Sequence, residues 1–63
     1  MNNSGFNIGD KVRVRGSLRR GVVDSLLVVS WVNVRFTRLN GKTYTENFSP
    51  EKLKLIKRAK VTN

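Results

Sequence analysis

The sequence has no cysteine and no histidine among its 63 residues. Without cysteine no disulfide can staple so short a chain, and without either residue the usual zinc ligands are missing. The commonest general base and the readiest nucleophile of enzyme sites are missing with them. Acidic residues are scarce as well: Asp10, Asp24, Glu46 and Glu51 are the whole set. No two of them fall at an acid/base spacing, and Asp10 and Glu51 lie in turn contexts that account for them structurally. Neither G-x-x-x-x-G-K-[ST] nor G-x-G-x-x-G occurs, so no motif cradles a nucleotide phosphate. The longest apolar run, Leu26–Val29 with Trp31 and Val32 just beyond, is far too short to span a bilayer. "MNNSGFNIGD" at the N-terminus lacks the apolar core of a signal peptide. These absences lead us to expect a non-enzymatic cytoplasmic protein with no catalytic residues, no cofactor, no metal and no membrane span.

What the sequence does contain is positive charge. Thirteen Lys and Arg stand against four Asp and Glu, a formal net charge of +9. An excess of this size in so small a chain points to a polyanionic partner: nucleic acid, an acidic protein surface or an anionic membrane surface. Charge by itself carries no sequence specificity and does not separate DNA from RNA.

The residue pattern is that of short strands. In "FNIGDKVRVR", Gly9-Asp10 signals a turn, and Lys11, Arg13 and Arg15 then alternate with Val12 and Val14. Gly16–Arg20 reads as a loop, and Gly21-Val22-Val23 opens a second strand. Further on, Val32, Val34 and Phe36 share one face while Trp31, Asn33 and Arg35 share the other. The chain must reverse between Gly21 and Arg38, yet Leu26–Val29 offers neither Gly nor Pro. Two readings stand: one long, strongly bent strand, or a reversal built of apolar residues whose exposed tip would mark an interface.

Asn40-Gly41 lies between two β-rich runs and is the clearest hairpin signal in the chain. A two-residue turn would pair Phe36 with Thr45. A three-residue loop with Gly41 in the left-handed region would pair Phe36 with Tyr44. The second register gathers Val34, Phe36, Tyr44 and Phe48 on one face and is preferred, although it brings Glu46 to that side. In "SPEK", Ser49 suits a cap and Pro50 a first helical position, with room for a single 3₁₀ turn before a closing strand of Leu53, Leu55 and Ile56. The expected organisation is a flexible N-terminus (1–7) anchored by Phe6, a barrel (8–56) and a mobile basic tail (57–63). The expected fold is all-β, a single small SH3-like barrel of about five strands with a 3₁₀ turn before the last.

The order "IGDKVRV", "RRGVV", "VNVRF…LNGKTYTENFSPEKLKLI" resembles the SH3-like barrels, a plan shared by Tudor-like domains and KOW modules. The segments "GDKVRV", "VNVRF" and "ENFSPEKL" are similar to photosystem I reaction-centre subunit IV over roughly residues 9–56. That resemblance implies the barrel fold and a docking role toward an acidic protein. The chain departs from that family in its short first loop, which lacks an aromatic cluster. A weaker similarity in "GDKVR" to the plasmid-type dihydrofolate reductase stops short of its active-site segment, which here reads "KTYTENF", and implies no activity.

The candidate binding residues are accordingly Arg13, Arg15, Arg19, Arg20, Arg35, Arg38 and Lys42, with Lys57 and Arg58 from the C-terminal segment, which with Lys52, Lys54 and Lys60 would form an electrostatic arm along a phosphate backbone. Arginine suits the task because its planar fork donates paired hydrogen bonds to phosphate oxygens. Backbone amides at Gly16 and Gly21 are further candidate donors. For any one of these arginines a solvated basic face is the better reading; the whole set favours nucleic-acid binding by phosphate neutralisation. The alternative is a protein-docking or regulatory module with Leu26, Leu27, Val28, Val29 and Trp31 as its apolar interface. Trp31 has two readings, a base-stacking residue or, preferred here, a core or oligomer contact. A homodimer would bury the apolar segment and double the basic surface. An oligomeric enzyme has the least support.

Overall fold

The computed structural model describes residues 2–60. Five strands form one antiparallel sheet: β1 (Lys11–Val14), β2 (Arg20–Leu26), β3 (Val32–Thr37), β4 (Thr43–Phe48) and β5 (Leu53–Lys57). A single 3₁₀ turn, Pro50–Lys52, precedes β5. The spatial order is β4-β3-β2-β1-β5, so the last strand returns to pair with the first. The chain is all-β, as the sequence leads one to expect. Among the described residues no helix is long and apolar enough to cross a membrane.

Period-two patterning explains the core. Val12, Val23, Val32, Val34, Phe36 and Leu53 are buried, and Phe6, Val14, Leu26, Tyr44 and Phe48 pack against them. Phe36 stacks on Tyr44 at 5.3 Å between ring centroids and meets Phe48 edge-on at 6.0 Å. Gly21 faces this core because nothing larger fits there. A Cβ at that position would stand 2.6 Å from Val34 Cγ1 and 2.7 Å from the Arg35 carbonyl oxygen.

The hairpin takes the longer of the two registers. Phe36 pairs with Tyr44, Gly41 has φ 85°, and Gly41 N–H donates to the Arg38 carbonyl. This is a type I turn closed by a left-handed glycine. The 3₁₀ turn begins after Ser49, whose side chain makes no cap hydrogen bond, contrary to expectation. The turn is closed by backbone alone, with Lys52 N–H donating to the Ser49 carbonyl.

Two bulges bend the sheet. Asp24 is the extra residue where β2 meets β3, and Ile56 is the extra residue where β5 meets β1. The reversal after β2 is made of apolar residues, which resolves the two readings in favour of the loop. It runs from Leu27 to Trp31, and Leu27 N–H donates to the Trp31 carbonyl. Leu26 itself turns inward opposite Val32 and belongs to the core, a correction to its expected place in the interface. Trp31 is half exposed and is likewise no core residue.

Both ends of the barrel are more firmly tied than their composition suggests. Asn2 Nδ2 donates to the Leu27 and Trp31 carbonyls, and Asn3 N–H donates to the Val29 carbonyl. At the other end β5 takes in Lys57, and Ala59 N–H and the Arg58 guanidinium both donate to Asp10. The expected boundaries of a flexible 1–7 and a mobile 57–63 therefore shift: residues 2–7 and 57–59 make specific contacts with the barrel. Met1 and the part of the expected tail beyond residue 60 lie outside the described residues.

Candidate nucleic-acid interface

Antiparallel pairing puts directly opposed residues on the same face, with strands about 4.8 Å apart. On the outer face this arithmetic produces two rows. One runs Arg20, Arg13, Lys54 across β2, β1 and β5. The other runs Arg35, Val22, Lys11, Lys57 across β3, β2, β1 and β5. Three cations thus stand side by side in the first row, with no carboxylate between them.

The rows border two adjoining hollows. The larger, of about 490 Å³, is lined by Lys11, Arg20, Arg35 and Lys57 around Val22 and Ile56. The smaller, of about 340 Å³, is lined by Arg13, Arg20, Lys54, Leu55 and Ile56. Arg20 and Ile56 belong to both, so the two form one track. The bulge in β5 helps to make it, because it brings the consecutive Ile56 and Lys57 to the same hollow.

Of the residues singled out from the sequence, Arg13, Arg20, Arg35 and Lys57 come together here. Arg35 is partly neutralised, since its Nη1 donates to Asp24 Oδ1 at 3.0 Å. Arg13, Arg20 and Lys57 make no ion pair among the described residues, and neither do Lys11 and Lys54. Lys11 stands outside the candidate set, and Lys54, expected to act from a basic arm, is instead fixed in β5 opposite Arg13. The signal that finds them is the β1–β5 register, which aligns both with cations already in the set.

The other candidates go elsewhere. Arg19 lies at the mouth of the barrel on the core side, 4.4 Å above the Phe36 ring, paired with Glu46 and hydrogen-bonded to Tyr44. The Glu46 hydrogen bond, and after it the one to Tyr44, raise the Arg19 pKa above its ordinary value. This also explains Glu46 on the core side of the hairpin: it is the counter-charge for Arg19 over the aromatic cluster. Arg38 lies 4.5 Å from the Tyr44 ring centroid, and Lys42 flanks the hairpin tip. Arg15 donates its N–H to the Lys52 carbonyl beside the 3₁₀ turn. Arg58 is engaged by Asp10 and the Gly5 carbonyl. The site therefore changes in membership: Arg15, Arg19, Arg38, Lys42 and Arg58 are not on the track. Gly21 lines the larger hollow, whereas Gly16 lines a separate one with Arg13, Ser17 and Leu18.

The apolar reversal is the second exposed feature. Val28 is 77% exposed, Val29 66% and Trp31 51%, with Leu27 near the loop base at 37%. Val29 has φ 67°, the left-handed region that β-branched residues avoid.

Comparison with known proteins finds no matching family model, no matching curated protein and no matching solved structure. The class that fold and surface define is a small all-β domain with one strongly cationic sheet face.

Proposed function

We propose that the protein is a non-enzymatic nucleic-acid-binding barrel that acts by neutralising phosphates and reads little sequence. Its working surface is the outer sheet face, with Lys11, Arg13, Arg20, Lys54 and Lys57 as the phosphate-contacting set and Arg35 beside them. The return of the last strand to the first supports placing it among the SH3-like barrels. One observation carries the functional reading: the unbroken row Arg20, Arg13, Lys54. Like charges directly opposed across strands destabilise a sheet. A bound polyanion turns that repulsion into attraction and releases counterions as it does so.

The test is a fluorescence-anisotropy titration of labelled DNA and RNA over a range of salt. Five phosphate contacts predict a slope of log K against log salt of about −3.5 on single strands and about −4.5 on duplex DNA. Each cation removed from the row lowers its magnitude by roughly 0.7 to 0.9. A slope near zero, or no binding at low salt, overturns the reading.

The exposed reversal favours a second reading, a docking module in which the basic face steers an acidic protein and Val28, Val29 and Trp31 anchor it. A β-branched residue held at positive φ on an exposed tip is the specific observation behind it. Polar substitution of Leu27 and Val28 separates the two, abolishing protein docking while leaving nucleic-acid affinity nearly intact.

A further inference from the structure

The cationic track has a floor, and the floor is aliphatic. Val22 and Ile56 lie among Lys11, Arg20, Arg35 and Lys57 in the larger hollow, and Ile56 also borders the smaller one with Arg13, Arg20 and Lys54. Ile56 is 48% exposed although it sits in a strand of a very small protein. A surface built only to attract phosphates needs no such floor.

Duplex DNA keeps the faces of its bases stacked inside and presents backbone and groove edges. Proteins that read it insert a helix or ribbon into a groove. Here the cations stand around hollows rather than on a projecting element. A single strand is the complementary object, because it offers phosphates along one side and unstacked apolar base and sugar faces along the other. The track crosses from β3 to β5, three strand spacings or roughly 14 Å, which is room for a few nucleotides. It has no aromatic platform, so the contacts available to the bases are aliphatic and sequence-tolerant.

We infer that the outer-face track is a binding site for single-stranded nucleic acid, with phosphates on the cationic rims and base or sugar faces on Val22 and Ile56. This rests on the nucleic-acid reading above and goes further by choosing the single strand over the duplex. Sequence preference is weak, since nothing on the floor reads a base edge.

The experiment compares a labelled dT12 single strand with a duplex of the same length at low salt, using the wild-type chain and Ile56→Asn. The substitution removes apolar floor without changing charge, at a bulged and exposed position. The expected result is tighter binding of dT12 than of the duplex, with Ile56→Asn weakening dT12 about fivefold and leaving the duplex unchanged. A second measurement needs no variant: amide NMR shifts of Gly21, Val22 and Ile56 in the wild-type protein move on addition of dT12. Duplex binding as tight as dT12, or unmoved Val22 and Ile56 amides with dT12 bound, overturns the single-strand assignment and leaves phosphate binding standing. Failure of both oligonucleotides to bind at low salt overturns the nucleic-acid reading itself.

Discussion

Asp10 is fully buried, and its carboxylate accepts from Asn7 N–H, Ala59 N–H and the Arg58 guanidinium at 2.7 to 2.9 Å. It ties the turn before β1 to the segment after β5. Removing an acceptor of this kind leaves buried donors without partners. Asp10→Ala is therefore expected to destabilise the fold by about 2–3 kcal/mol in urea unfolding. A loss below about 0.5 kcal/mol would show that water replaces the carboxylate. Gly21 is a residue-scale constraint of another kind. The close approach of Val34 and the Arg35 carbonyl gives Gly21→Ala an expected cost of about 1–3 kcal/mol from overpacking, measured the same way. These two roles differ in how far the sequence displays them. The turn at Gly9-Asp10 is a local signal, but the partner that engages Arg58 lies 48 residues away. Arg19 is likewise claimed by Glu46, 27 residues distant, and so leaves the basic surface where its neighbour Arg20 remains.

At the scale of elements, strands and hairpin were legible because their determinants are local. Alternation fixes the faces of β1 and β3, and Asn40-Gly41 with a core-forming register fixes the hairpin. The reversal after β2 was ambiguous because no Gly, Asn or Pro marks it. Its shape is set by distant groups instead, Asn2 and Asn3 holding the carbonyls of Leu27, Val29 and Trp31. Val29 accepts a left-handed conformation in which a glycine would be unstrained. Val29→Gly should stabilise the free protein by about 1 kcal/mol, raising its melting temperature by a few degrees. A fall in melting temperature would mean that the valine side chain is needed by the fold rather than by a partner.

At the scale of the whole molecule, a net charge of +9 is divided unequally. Three arginines are engaged by the described carboxylates Glu46, Asp24 and Asp10, and each of these pairs holds a loop, bulge or terminus in place. The cations without such partners include the row on the outer face, which is where the fold tolerates repulsion. The sequence revealed the excess but not this division, because the rows exist only once β5 has paired with β1. On the proposed function, the row serves a ligand at some expense to the fold. Arg13, opposed by both Arg20 and Lys54, is its centre. The most direct test is Arg13→Gln, measured for both thermal stability and affinity for single-stranded DNA. The free variant is expected to be more stable by about 0.5 kcal/mol and to bind more weakly, with a shallower salt slope. A variant that is less stable and binds as well as the wild type would show the row to be structural and would contradict the account.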